Sequence, residues 1–124
     1  MASKGRRSKQ KGASYERNVA HAFKAVWPHA RRGIGQARAG GDVPDVQGTP
    51  YWVEAKHRKQ VSITGAMRQA VEAMAGYLER GGDPDEYLFP LVAARVDDRA
   101  TKERMDLVVM RRADFLEMME GLLK

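Results

Sequence analysis

The sequence predicts an α/β fold in which helices flank a central mixed β-sheet. Its apolar patterns indicate the order helix, strands with a hairpin, helix, strand, strand, helix, which suits one sheet covered on both faces. With 43% hydrophobic and 31% charged residues over 124 positions, the chain has the composition of a globular domain. The sequence contains no internal repeat. We therefore predict a single domain over residues 13–124.

The N-terminal segment is predicted to be a basic, disordered arm over residues 1–12. After Met1 it contains five cations and no large apolar residue. A helix is expected to follow, with Ser14 as its N-cap, and to run to about Trp27, where Pro28 ends it. Apolar residues at helical spacing form its predicted buried stripe: Tyr15, Val19, Ala22, Phe23 and Val26.

The next segment, residues 29–42, is rich in Gly and Arg. Its first half fits a short strand and its second half a loop. Residues 43–56 are predicted to form two strands that fold back at Gly48–Thr49. Because side chains alternate along a strand, Glu54 and Lys56 share one face.

The C-terminal half supplies the remaining elements. Thr64 is the predicted cap of a second helix that runs to about Arg80. Tyr87–Val96 is predicted to be a buried strand, and Pro90 within it implies an edge position or a bulge. Asp106–Met110 is the last predicted strand. A third helix from residue 113 to the end has an apolar side broad enough to suggest a dimer contact.

The residue content excludes several classes of protein. The chain has no cysteine, which excludes disulfide frameworks, thiolate zinc sites and cysteine nucleophiles. No apolar run approaches the roughly 20 residues that span a bilayer, and no apolar segment follows the charged N-terminus. We expect no membrane partner and no secretion, but a location in the cytoplasm of a prokaryotic or phage-infected cell.

Positive charge is concentrated in the N-terminal third. Residues 1–38 hold ten Lys and Arg against one acid, a balance of +9, whereas the remainder holds twelve against fifteen, a balance of −3. This asymmetry predicts a polyanionic partner. The cations that we expect to contact nucleic acid are Lys4, Arg6, Arg7, Lys9, Lys11, Arg17, Arg31, Arg32, Arg38, Arg58 and Lys59.

The hairpin carries the candidate chemistry. Folding back at the turn brings Asp45 near Glu54, and Lys56 lies on the same face as Glu54. Two carboxylates suit a hard cation such as Mg²⁺, and an adjacent ammonium can offset charge on a phosphoryl group. Glu16 on the first helix adds a carboxylate if that helix packs near the hairpin. Together with the basic N-terminal third, this set predicts metal-dependent hydrolysis of nucleic acid.

These residues resemble a known group of nucleases. Pro44–Asp45 followed by Glu54–Ala55–Lys56 resembles the PD-(D/E)XK motif. The segment Lys11–Asn18, with its acid on the first helix, resembles the archaeal-type Holliday junction resolvases. The Gly-rich approach to Asp42-Val43-Pro44-Asp45 is similar to the same group, and the resemblance covers residues 11–80.

The resemblance implies a restriction-endonuclease-like fold and a specific site. Its catalytic set would be Glu16, Asp45, Glu54 and Lys56, with the three acids as ligands of Mg²⁺, for which Mn²⁺ can substitute. Gln69 on the second helix resembles the glutamine that supports such sites. The implied partners are a four-way DNA junction and a second copy of the chain in a two-fold homodimer, with no small-molecule substrate.

Other functions remain open. The archaeal resolvases carry a serine in the loop before the Pro-Asp pair, and residues 30–43 contain none. One alternative is a nuclease of the same superfamily that cuts linear duplex or flaps. Another is a non-catalytic nucleic-acid-binding protein whose acids are structural.

Overall fold

The fold is a five-stranded mixed sheet flanked by helices, which confirms the predicted α/β class. The computed structural model describes residues 4–33, 43–58 and 60–123. Its elements are α1 (Lys4–Phe23), β1 (Arg31–Arg32), β2 (Val46–Gln47), β3 (Tyr51–His57), α2 (Ile63–Glu79), β4 (Phe89–Asp97), β5 (Arg104–Val109) and α3 (Arg112–Leu123). In the part of the chain that the structure describes, no helix is both long and apolar enough to cross a bilayer.

The strands lie in the sheet in chain order, from β1 to β5. Neighbours are antiparallel except for β3 and β4, which are parallel because α2 crosses over between them. The register pairs Val46 with Val53 and Val53 with Leu91, so the centre of the sheet is apolar.

The two faces of the sheet are covered by different helices. On one face Val53 and Leu91 pack with Tyr15 and Val19 of α1. On the other face Trp52 packs with Ala70 of α2 and with Tyr87, and Val92 packs with Ala66. Full burial of each large apolar side chain contributes about 1.5–3 kcal/mol. The alternation along β3 and β4 thus places the sheet between α1 and α2.

Helix α1 differs from its prediction at both ends. It begins at Lys4, so residues 4–12, expected to be a disordered arm, form its first half. Ser14 lies inside the helix and is not its N-cap. The reason is local, since Lys, Arg and Gln favour helix and no proline occurs before Pro28. The helix ends at Phe23, four residues before the predicted end at Trp27.

Two later predictions also require correction. Helix α2 is capped by Ser62 and not by Thr64, because the Ser62 hydroxyl accepts a hydrogen bond of 3.1 Å from the Gly65 N–H. Strand β4 is internal, although Pro90 suggested an edge. Pro90 is tolerated because β5 pairs with β4 only from Val92 onward, which leaves the start of β4 paired with β3 alone among the described strands.

The hairpin that carries the candidate site turns where the sequence indicated. Residues 48–50 connect β2 to β3, and Gly48 has a φ of +86°. A Cβ at this position would collide with the His29 carbonyl, so only glycine fits without movement. The Thr49 hydroxyl accepts a hydrogen bond of 3.1 Å from the Tyr51 N–H and fixes the entry into β3. Residues 34–42, predicted to include a loop, lie outside the described residues.

Candidate functional site

All four residues predicted to be catalytic line one cavity of about 570 Å³. Glu16 comes from α1, Asp45 from the residue before β2, and Glu54 and Lys56 from β3. Packing of α1 against β3 brings these segments together. The wall is completed by Lys11, Gly12, Ala55, His57 and Arg58.

Asp45 is fixed by three hydrogen bonds. Its N–H donates to the Val53 carbonyl and its carbonyl accepts from the Gly33 N–H, both at 2.8 Å. Its carboxylate Oδ2 accepts from the Ala55 N–H at 2.7 Å. Strand β2 begins one residue later, at Val46. The Asp45 carboxylate therefore accepts the Ala55 N–H of β3 at a point beyond the end of the β2–β3 pairing. A carboxylate has several acceptor sites, and the bond to Ala55 uses one of them.

Glu54 and Lys56 project from the same face of β3 and form an ion pair of 3.1 Å between Oε1 and Nζ. Both side chains are largely shielded, with 19% and 13% of their surface exposed. Asp45 lies just before the paired residues Val46 and Val53, and both Asp45 and Glu54 line the same cavity. The hairpin thus brings the two predicted acids to one cavity.

Glu16 joins the site from the opposite layer. Its carboxylate accepts a hydrogen bond of 2.7 Å from Nε of Arg32 on β1, and only 14% of its side-chain surface is exposed. Each of the three described acids of the cavity thus has a protein partner: Arg32 for Glu16, the Ala55 N–H for Asp45 and Lys56 for Glu54. These partners offset the charge of the carboxylates, so their clustering does not by itself require a cation.

The donor set suits one kind of metal binding. Among residues 4–33, 43–58 and 60–123, no group of three or more His, Cys, Asp or Glu side chains is arranged to hold a metal ion. Mg²⁺ commonly binds through one or two carboxylates and takes its remaining oxygens from water and substrate phosphate. Asp45 and Glu54, which line the same cavity, fit that mode.

A network that the sequence did not reveal anchors α1 beside the cavity. Arg95 of β4 donates to both carboxylate oxygens of Asp106 on β5, at 2.8 and 3.2 Å. The same guanidinium donates to Asn18 of α1 at 3.3 Å and lies 5.1 Å from the centre of the Tyr15 ring. Arg95 and Asn18 are 77 positions apart, so no local pattern predicts their contact.

The pKa values of several residues in and around this network are shifted. Burial, with a further contribution from Asp106, raises the pKa of Tyr15 to about 12. The Arg95 guanidinium lowers the pKa of Asp106. Burial lowers the pKa of His57, and Lys11, Arg104 and Arg95 add to that effect. The centre of the His57 ring lies 5.5 Å from that of the Tyr15 ring, and His57 lines the cavity.

The eleven predicted nucleic-acid contacts are distributed over several parts of the chain. Lys11 and Arg58 line the cavity, and Arg32 pairs with Glu16. Arg17 and Arg31 are exposed outside it, and Arg31 donates to the His29 carbonyl at 3.3 Å. Of the others, four lie in the first half of α1 and two lie outside the described residues: Lys4, Arg6, Arg7 and Lys9, then Arg38 and Lys59.

Gln69 does not line the main cavity. It lies on α2 and borders a smaller cavity of about 250 Å³, together with Lys56 and Arg58. The glutamine predicted to support the site is therefore next to it, and Lys56 and Arg58 border both cavities.

Comparison with known proteins gave a partial likeness. The chain is 38% identical over 58 residues to the ribosomal RNA small subunit methyltransferase H of Rubrobacter xylanophilus. The match covers 47% of this chain and 19% of that relative. No family model matches the chain, and no solved structure matches it.

Proposed function

We propose that the chain is a metal-dependent endodeoxyribonuclease with a restriction-endonuclease-like fold, which resolves four-way DNA junctions as a homodimer. The observation that carries the proposal is the single cavity shared by Glu16, Asp45, Glu54 and Lys56. Lys11, Arg58 and the basic first half of α1 support a polyanionic substrate. The resemblance of Pro44–Asp45 and Glu54–Ala55–Lys56 to a nuclease motif supports the reaction class.

In this proposal each residue has a distinct role. Asp45 and Glu54 would hold Mg²⁺, or Mn²⁺ in its place, and Glu16 would supply a further carboxylate. When bound, the metal would act as a Lewis acid on the phosphodiester. Lys56 would turn from Glu54 toward the phosphate and offset the negative charge that grows on it during attack by water. The fixed position of Asp45 keeps the donor set preorganised.

The homodimer is supported by an apolar surface on α3 and β5. Val108, Phe115, Leu116 and Leu122 expose between 46% and 72% of their surface. Val108 and Phe115 border an apolar cavity of about 480 Å³. Strand β5 is also an edge of the sheet, where unpaired backbone groups favour association. A second copy packed here would give the two-fold symmetry that suits a four-way junction.

The test is cleavage of a labelled four-way junction, a flap and a linear duplex, each in Mg²⁺, Mn²⁺ and EDTA. We expect metal-dependent incision with a preference for the junction. Asp45→Asn should abolish cutting while junction binding remains. Glu72→Gln, which alters an exposed acid on α2, is the matched control and should cut normally.

Two outcomes would contradict the proposal. Undiminished cutting by Asp45→Asn would show that Asp45 is not a required metal ligand. The absence of cleavage products from every substrate at high enzyme concentration would show that the protein is not a nuclease for these substrates. Preferential cutting of the flap or the linear duplex would support metal-dependent hydrolysis but would show that the four-way junction is not the preferred substrate.

A second candidate is a non-catalytic nucleic-acid-binding module. The partial likeness to a protein named as a ribosomal RNA methyltransferase favours it, as does the pairing of every cavity acid with a protein group. In that case binding would be independent of metal, and structured RNA would compete with DNA. The same panel, extended with an RNA stem-loop, separates the two functions.

A further inference from the structure

The smaller cavity, of about 250 Å³, has the character of an anion site. It shares Lys56 and Arg58 with the main cavity and is completed by residues around the start of α2, including Ser62, Arg68 and Gln69. Of the eight described residues that line it, three are cations and none is an acid. The main cavity, by contrast, contains three carboxylates.

The positive charge of this cavity is only partly neutralised. Lys56 is paired with Glu54, but Arg58 and Arg68 are exposed. Within the described ranges, neither arginine has a carboxylate partner. An arginine without a partner binds a phosphate group through parallel N–H donors, and the Gln69 amide can donate as well.

The two cavities are adjacent, because Lys56 and Arg58 border both. We propose that the smaller cavity binds the phosphate next to the scissile one on the same nucleic-acid strand, with Arg68 as its specific contact. This inference rests on the proposed function, which places the scissile phosphate in the main cavity. The strand would then run from Lys11 on α1, over the end of β3, to the first turns of α2.

The test measures binding of the four-way junction in EDTA, where no cleavage interferes, over a range of salt concentrations. Log K falls as log salt rises, and loss of one phosphate contact makes this negative slope shallower by about one. We expect that change for Arg68→Gln. Lys24→Gln removes the same charge from an exposed position just after α1, outside both cavities, and should leave the slope unchanged. Thermal melting of both variants confirms that they fold.

A scan with single methylphosphonates, which are neutral, locates the contact. In the wild-type protein, neutralising the phosphate next to the mapped cleavage site should weaken binding, whereas Arg68→Gln should be insensitive to that change. Equal slopes for Arg68→Gln and Lys24→Gln, or equal sensitivity of both proteins to the scan, would overturn the subsite. If the slope depends on Arg68 but no cleavage occurs in metal, Arg68 still contacts a phosphate, but the nuclease proposal fails and with it the position of that phosphate next to a scissile one. If cleavage occurs without that dependence, the nuclease stands and the subsite fails.

Discussion

The carboxylate of Asp45 accepts a hydrogen bond of 2.7 Å from the backbone N–H of Ala55, the residue between Glu54 and Lys56. One side chain thereby completes the backbone pairing of β3 and sets the position of a proposed metal ligand. The Asp45 carboxylate thus has a structural role, as acceptor for the Ala55 N–H, and a proposed role as metal ligand. Substitutions at Asp45 must be chosen so that the two roles are tested separately.

We predict that Asp45→Ala and Asp45→Asn differ in stability. Alanine leaves the Ala55 N–H without its partner and should lower the free energy of unfolding by about 1 kcal/mol or more. The amide oxygen of asparagine can accept the same bond, so Asp45→Asn should lose less. Urea denaturation measures both, with Glu72→Ala as the control at an exposed helical site. Equal losses for the two variants would show that the hydrogen bond contributes little.

The capping of α2 gives a second prediction. Ser62→Ala removes the acceptor of the Gly65 N–H and should cost about 1 kcal/mol. Ser14→Ala is the matched control, because Ser14 lies inside α1, where alanine is the better helix former. Thermal melting should show a lower midpoint for the first variant and an unchanged or slightly higher one for the second. The reverse order would mean that α1 begins near Ser14 after all.

The lowered pKa of His57 predicts a dependence of stability on pH. Below the ordinary imidazole pKa of about 6.5, the unfolded chain binds a proton that the folded chain resists, so stability should fall as the pH drops from 7.5 to 5. His57→Gln should reduce this fall, because glutamine does not titrate.

The measurement is the free energy of unfolding in urea at four values of pH across this range. His21 and His29 are present in both proteins and cancel in the comparison. Asp106, whose pKa is also lowered from 3.8, stabilises the fold throughout most of this range and loses that contribution only as the pH falls toward and below that value. Identical pH profiles for wild type and variant would contradict the prediction.

The proposed dimer is tested at Phe115. Phe115→Glu puts a charge in the middle of the apolar surface of α3 and β5, where burial against a second copy would be costly. We expect the sedimentation coefficient to fall to that of a monomer. Val26→Glu changes a residue that is 67% exposed just after α1 and should remain dimeric. Monomeric wild-type protein at micromolar concentration would reject this interface.

Much of the fold was predictable because its signals are local. Apolar periodicity gave the helices and strands in their correct order, and the turn at Gly48 followed from its residue type. The ends of elements were less predictable. Ser14 and Thr64 have the side chains of N-caps, but whether a helix starts at such a residue depends on the competing stability of the residues before it.

The sequence by itself determined that Glu54 and Lys56 share one face of β3 and that a short turn connects β2 to β3, because strand alternation and turn residues are local signals. Only the tertiary structure decided that Glu16 joins them, since this required α1 to pack on the face of β3 opposite α2. It alone decided that Arg32 neutralises Glu16 and that Arg95 links Asn18 to Asp106. Such contacts arise from packing between distant segments, and their geometry leaves no periodic or local trace in the chain.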